Sequence, residues 1–368
     1  METKPIIAGI SHGDINGIGY EVIIKTLMDP MINELCIPVV YGSPKVAAYH
    51  RKALNINNFS FNNIRSPEEA NPRKANMINC LDDNIRVELG KSTQQSGAAA
   101  LSSLERAVED LKNGKIDVLI TAPIDKKNIQ SESFHFNGHT EYLKSRAGVE
   151  EVLMFMISEN MKIGIATGHC PIKQVPGMIT VESLLGKLRL MNQSLIFDFA
   201  VRKPKIAVLG LNPHAGDNAL LGEEENETIL PAIRQAEKEG MLVFGPYPAD
   251  GFFGAGSFAK FDGILAMYHD QGLAPFKALA FDSGVNFTAG LPFVRTSPVH
   301  GTAFAIAGKG EASENSFRQA VYLACTIFKN RQLYAEITKN PLKHQDIDIH
   351  SDKVDELPPD LYNTDQQL

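Results

Sequence analysis

Residues 5–28 read PIIAGISHGDINGIGYEVIIKTLM. The apolar run PIIAGI predicts a buried strand, HGDINGIG a glycine turn, and YEVIIKTLM a helix. The same alternation continues outward from this unit. CIPVVYG (36–42) is a second buried strand, and SPKVAAYHRKAL (43–54) predicts a helix with Ser43 as cap and Pro44 in its first turn. SGAAALSSLERAVEDLKNG (96–114) predicts a strong helix stopped by Gly114, and KIDVLITAPI (115–124) another strand. From about residue 150 the pattern resumes with EVLMFMIS, KIGIATGH, the helix TVESLLGKLRLMNQSLIFDFA, KIAVLGLNPH, the helix ETILPAIRQAEKEG, FDGILAMYHD and a final helix SFRQAVYLACTIFKN. Short apolar strands alternating with helices are the pattern of an α/β fold on a mainly parallel sheet, because crossover helices cover both sheet faces.

At 368 residues the chain exceeds a usual single core. Two α/β/α subdomains with mainly parallel sheets are therefore expected. The first is expected to span 1–137 plus about 312–344 and the second 138–311, with the active site expected in the cleft between them. Residues 345–368 are acidic, aperiodic and broken by Pro358 and Pro359, which predicts a mobile tail with His344 and His350 merely solvated near it. Apolar residues at 43% and charged residues at 21% exclude a disordered, collagenous or repeat protein. A formal charge of -7 argues against nucleic acid as a partner, while leaving room for a local basic pocket. No apolar run approaches the roughly 18 residues of a membrane helix, and METKPIIAG lacks a signal-peptide core, so the expected compartment is the cytoplasm. Cys36, Cys80, Cys170 and Cys325 form no CxxC pair and read as small buried hydrophobes.

Three histidines stand in one context: His169 closes KIGIATGH, His214 closes KIAVLGLNPH and His269 closes GILAMYH. In a parallel sheet the C-terminal strand ends share an edge, so these side chains can converge there, and three neutral imidazoles suit a divalent metal with one position left open. Each alone reads more readily as a hydrogen-bonded loop or core residue than as a ligand; the repetition is the signal. Asp270, next to His269, reads as a ligand-orienting group, a proton carrier or a turn cap.

Gly13, Gly17 and Gly19 fit an anion cradle or an ordinary tight βα turn, and the spacing is neither GxGxxG nor a P-loop. Gly251, Gly254 and Gly256 form a second glycine stretch of equally open meaning. Lys277, Asn286 and Arg295 are spread along a segment poor in other charges and suit a phosphate, or else Lys277 and Arg295 are surface charges or ion-pair partners. His139 and Thr140 sit between a turn and a helix, where Thr140 could also act as the cap.

Taken in order, GHTE (138–141), ATGHCP (166–171), LNPHAGD (211–217), PADGFF (248–253), MYHDQGLAPFK (267–277) and VNFTAGLPFVRTSPVHGTAF (285–304) resemble the 4-hydroxythreonine-4-phosphate dehydrogenase family (PdxA-type) of pyridoxal phosphate biosynthesis. The resemblance runs from about Ile7 to about Asn330. It implies an isocitrate/isopropylmalate dehydrogenase-like fold and a homodimer whose subunits share each metal site. It implies His169, His214 and His269 as ligands of a divalent metal (Zn, Mg or Co), and His139, Thr140, Lys277, Asn286 and Arg295 as substrate-binding residues. The implied reaction is NAD- or NADP-linked oxidation of 4-phosphooxy-L-threonine, followed by decarboxylation to 3-amino-2-oxopropyl phosphate. Asp250 and Asp270 are the candidates for the general base, since each lies in a motif of the site. The cofactor-binding residues stay unassigned. Three positions depart from the family pattern: Ile15-Asn16 stands where Pro-Ala is usual, Gly251 where Thr is typical, and Val299 where Asp is common. A related phosphorylated four-carbon acid, D-threonate or erythronate 4-phosphate, is the alternative substrate. A metal-dependent aldolase and a metal-loaded binding protein are the competing classes.

Overall fold

The computed structural model describes residues 4–82 and 84–341, so the tail expected over 345–368, with His344 and His350, lies outside the described residues. Twelve strands form one sheet: β1 (Ile7–Ser11), β2 (Ile37–Gly42), β3 (Asn62–Ile64), β4 (Asn76–Asn79), β5 (Val118–Thr121), β6 (Leu153–Ile157), β7 (Lys162–Ile165), β8 (Lys205–Leu209), β9 (Leu242–Tyr247), β10 (Gly263–Ala266), β11 (Val285–Ala289) and β12 (Val294–Pro298). Their order is β3-β4-β2-β1-β5-β12-β11-β6-β7-β10-β8-β9. The α/β class and the mostly parallel sheet expected from the strand–helix alternation are both present.

Direction divides this sheet. From β3 to β12 all neighbours are parallel, and so are all neighbours from β7 to β9. Between the blocks β11 and β6 are each antiparallel to both of their neighbours. Three successive reversals leave the two parallel blocks running in opposite directions. The halves are joined by main-chain pairing, for β12, inside segment 138–311, is hydrogen-bonded to β5 of the first segment.

Local chemistry explains the strongest helices. Thr93 caps the helix Gln94–Lys112 through Ser96 N–H, and the Ser96 hydroxyl returns the contact to Thr93 N–H. Such a cap contributes about 1 kcal/mol. Ser43 caps Pro44–Ala53 as the sequence predicts, with Pro44 in the first turn. The helix Asn315–Ile337 packs on β12, β5 and β11 and buries Phe317, Val321 and Ile327 completely.

The apolar core forms three clusters. The largest runs along both halves and includes Ile10, Ile120, Phe287, Leu188 and Phe317. Two smaller clusters are separate: one in the first half, with Tyr41, Leu119 and Leu143, the other in the second, with Met156, Ile163, Leu265's neighbour Ile264 and Phe276. Between those two clusters β11 and β12 carry Asn286, Thr288, Arg295 and Ser297 at alternate positions, which places them on one face. Polar residues occupy a stretch of sheet that a continuous core would have filled.

The first glycine loop is a packing device. A Cβ on Gly13, at φ +73, would meet Pro123 O at 2.3 Å, and one on Gly19 would meet His12 O at 2.3 Å. The tight βα turn is therefore the reading that holds, with the glycines allowing the loop to press against the segment after β5. Among the described residues no helix is long and apolar enough to cross a membrane.

Candidate active site

A cavity of about 300 Å³ opens over the polar stretch of β11 and β12. Seven of the sequence-selected residues line it: His139, Thr140, His169, His269, Lys277, Asn286 and Arg295. They arrive from different elements. His139 and Thr140 open the helix His139–Ala147, whose cap position is held by Gly138, so Thr140 is not the cap. His269 opens the helix His269–Ala280, which also carries Lys277. Both helices begin at the cavity lining, and a helix N-terminus favours anions.

Arg295 defines the electrostatics. Its side chain, 2% exposed, donates from Nε and Nη2 to Thr121 Oγ1 at 3.2 and 2.7 Å, and from Nη1 to Thr288 Oγ1 at 3.3 Å. Among the described residues no carboxylate forms an ion pair with it, unlike Arg331, which holds Asp198 at 2.6 Å. Burial pushes the guanidinium down to about 10, and the Glu141 carboxylate only partly opposes this. A buried cation without a counter-charge is unfavourable until an anion joins it.

Polar atoms without partners accumulate around the same cavity. His139 Nε2, Asn286 Oδ1 and His300 Nε2 are each buried with no hydrogen-bond partner. His139 as a whole is half-buried, yet desolvation, reinforced by the charges of Arg295 and Lys126, holds its imidazole well below the usual histidine range. It is therefore neutral near pH 7. These three residues all line the one cavity, so a ligand there can complete their bonding.

The histidines at the strand ends converge in part. His169 and His269 have ring centroids 5.4 Å apart, as expected for the ends of the paired parallel strands β7 and β10. Each presents Nδ1 to a carboxylate: His269 donates to Asp270 Oδ1 at 2.7 Å, and His169 Nδ1 stands 3.8 Å from Glu141 Oε1. The interaction with His169 holds Glu141 below the usual carboxylate range. With Nδ1 engaged by a carboxylate, Nε2 of each ring keeps its lone pair for a metal, which is the arrangement of a metal-ligating histidine. The two imidazoles supply part of a divalent ion's donor set, and among the described residues no group of three His, Cys, Asp or Glu side chains completes it.

His214 is not among the residues lining the cavity. It follows β8, on the far side of β10 from β7, and its exposed side chain joins no cluster of three metal-competent groups among the described residues. Its loop is nevertheless held in an uncommon shape: His214, Ala215, Asp217, Asn218 and Ala219 all have positive φ between 43 and 72°. Glu225 pins the loop by accepting from Leu211 N and Asn212 N, both at 2.8 Å. Backbone of this kind, unfavourable by about 1 kcal/mol per residue, persists where the surroundings impose it and clusters at functional sites.

Of the two aspartates, Asp250 is exposed and does not line the cavity. Asp270 borders an adjoining cavity of about 410 Å³ that also takes in His169, Cys170 and His269. The second glycine stretch shows no close approach, since a Cβ on Gly251, Gly254 or Gly256 would meet nothing within 4 Å. Three titratable lining residues were not singled out by sequence: Lys126, Glu141 and His300. Each lay inside or just after a quoted motif, and Glu141 is the cavity's one carboxylate among the described residues.

Comparison with known proteins fits this geometry. The family model for the pyridoxal phosphate biosynthetic protein PdxA matches residues 34–324. A 4-hydroxythreonine-4-phosphate dehydrogenase of Bacteroides thetaiotaomicron is 54% identical over 347 residues, covering 94% of this chain and 95% of that one. A relative from Oceanobacillus iheyensis, 41% identical over 88% of this chain and 98% of its own, bears the provisional name D-threonate 4-phosphate dehydrogenase. The crystal structure of 4-hydroxythreonine-4-phosphate dehydrogenase from Klebsiella pneumoniae superposes with a TM-score of 0.77 at 33% identity, covering 88% of this chain and all of that one. The chain belongs to the PdxA family of pyridoxal phosphate biosynthetic proteins.

Proposed function

We propose that this chain is a metal-dependent, NAD- or NADP-linked dehydrogenase acting in the cytoplasm in pyridoxine 5'-phosphate biosynthesis. It oxidises the 3-hydroxyl of 4-phosphooxy-L-threonine to 2-amino-3-oxo-4-phosphooxybutanoate, which loses CO₂ to give 3-amino-2-oxopropyl phosphate. The observation that carries this reading is Arg295, a buried cation without a carboxylate partner among the described residues, in the cavity that also holds the His169–His269 pair. Such a cavity suits a small, multiply anionic substrate, and the names of the relatives supply its identity.

In this reading Arg295 and Lys277 bind the phosphate and carboxylate, aided by the first-turn amides at His139 and Thr140. His139 and Asn286 complete their hydrogen bonding on the substrate and hold C3 in place. His169, His214 and His269 would hold the divalent metal (zinc, magnesium or cobalt) in a homodimer whose subunits share the site. Bound there, the metal supplies Lewis acidity to the substrate hydroxyl. Asp270 keeps the His269 ring oriented through Nδ1, and as the carboxylate next to that ring it is assigned the released proton. The nicotinamide supplies the hydride acceptor when bound.

A second reading, oxidation of D-threonate or erythronate 4-phosphate, has one observation in its favour: the family departure at Val299 lies in the cavity lining, where it touches substrate choice. The test is incubation of metal-stripped protein with NAD⁺ or NADP⁺ and each of the three phosphorylated acids, before and after zinc or magnesium is restored. Metal-dependent NADH or NADPH with 4-phosphooxy-L-threonine is expected. Reduced nicotinamide only with D-threonate or erythronate phosphate moves the assignment to the second reading, and carbon–carbon cleavage without nicotinamide replaces both with a lyase.

A further inference from the structure

An arginine has five N–H donors, and Arg295 uses three of them on hydroxyl groups: two on Thr121 Oγ1 and one on Thr288 Oγ1. Two donors remain, one on each terminal nitrogen. The hydroxyls come from both neighbours of β12: Thr121 ends β5, and Thr288 lies on β11. Both threonines are completely buried. A strand position buried on a sheet face accepts valine as readily as threonine, because both are β-branched and nearly equal in shape. The hydroxyls therefore answer to the guanidinium.

Their chemistry is also selective. A carboxylate at either position would hold the guanidinium more tightly and would neutralise it as well. Hydroxyl oxygens fix its direction and leave its charge uncompensated. The Nε edge is taken by Thr121, so the remaining N–H groups belong to the terminal nitrogens and are left to donate to an oxyanion.

We propose that Thr121, seconded by Thr288, is a positioning residue that aims the Arg295 guanidinium end-on at an oxyanion of the substrate, phosphate or carboxylate. The proposal rests on the dehydrogenase reading only for the identity of that substrate.

The experiment uses the full chain as wild type, Thr121→Val, Thr121→Ser and Thr288→Val, with inorganic phosphate and acetate as separate probes in titration calorimetry. Initial rates with 4-phosphooxy-L-threonine run in parallel. Thr121→Val is expected to weaken binding of one of the two probes by about 10- to 100-fold and to raise KM by a similar factor, with kcat changed by less than about threefold. Thr121→Ser, which keeps the hydroxyl, restores binding and KM to within about threefold of wild type, and Thr288→Val gives a smaller loss than Thr121→Val. The probe that responds tells phosphate from carboxylate. The proposal is overturned if Thr121→Val binds both probes as wild type does, if wild type binds neither, or if Thr121→Ser is as impaired as Thr121→Val. Should Thr121→Val fail to fold, the Thr121→Ser and Thr288→Val pair decides: loss in Thr288→Val with retention in Thr121→Ser supports the aim, and equal behaviour to wild type in both refutes it. Wild-type protein that binds phosphate or acetate but reduces no nicotinamide sinks the dehydrogenase reading and leaves this inference standing.

Discussion

Replacing Arg295 by methionine separates stability from function at a single position. Methionine keeps much of the apolar stem and removes the charge. In the folded chain burial depresses the guanidinium from its ordinary value to about 10. At 1.36 kcal/mol per pKa unit this is about 3 kcal/mol of unfavourable energy carried by the native state at neutral pH. The unfolded state holds this proton more tightly, so native stability falls as pH drops from the ordinary arginine range to about 10, and the whole penalty is present below that. Against it stand three neutral-acceptor hydrogen bonds to Thr121 and Thr288, each contributing about 1 kcal/mol or less at these lengths. Arg295→Met is therefore expected to change unfolding free energy by between zero and about +2 kcal/mol, on the stabilising side. Catalysis moves the other way. Losing a desolvated, charge-assisted contact to a substrate anion removes about 2–5 kcal/mol, or about 30- to 5,000-fold in kcat/KM. Urea unfolding followed by circular dichroism reads the first quantity, and initial rates of nicotinamide reduction read the second. A variant that loses about 3 kcal/mol or more of stability while keeping its kcat/KM would show that Arg295 is a structural residue and would refute the reasoning.

Three further outcomes are expected. His12 and His50, both buried and held at about 4 by desolvation, are neutral in the native state and charge on unfolding. Stability is then fully present above about pH 6.5 and is lost toward pH 4, at about 1.4 kcal/mol per pH unit for each histidine; urea midpoints that stay flat between pH 7 and pH 5 would contradict this. Asp270→Ala removes the acceptor of His269 Nδ1 and should weaken zinc binding by about 10- to 100-fold in a chelator competition, whereas unchanged affinity would deny the carboxylate its orienting role. Asn16→Ala cuts the bonds that tie the glycine loop to Glu88 N, Lys91 O and Thr93 Oγ1 and should destabilise the chain by about 1–3 kcal/mol, with faster amide exchange at Glu88; protection equal to wild type would remove Asn16 as the tether.

Much of this was legible in the sequence, for physical reasons. Buried parallel strands must be apolar and their crossovers helical, so the alternation from PIIAGI to SFRQAVYLACTIFKN marks the α/β class directly. The strand-end histidines met at His169 and His269 because β7 and β10 are parallel neighbours. The reversal of direction through β11 and β6 was not legible, since hydrophobic pattern carries no strand polarity. It is this reversal that places the cavity on a sheet face instead of along one edge. The period-two polar pattern of Asn286, Thr288, Arg295 and Ser297 was visible in VNFTA and VRTSP and is the signal for such a face. Arg295 and Lys277 looked alike as isolated cations in the sequence; only burial distinguishes the first from the exposed second. Lys126 and His300 were missed because each becomes notable only beside residues far away in the chain. The strained loop at His214 depends on Glu225, a carboxylate serving backbone amides that no motif spacing announces.

The most direct test of the central claim is a stoichiometry. Purified protein with a divalent metal and NAD⁺ or NADP⁺ is given a limiting amount of 4-phosphooxy-L-threonine, and reduced nicotinamide and CO₂ are measured together. One of each per substrate consumed is the expected result. Substrate that remains intact, or that disappears without reduced nicotinamide, would contradict the account.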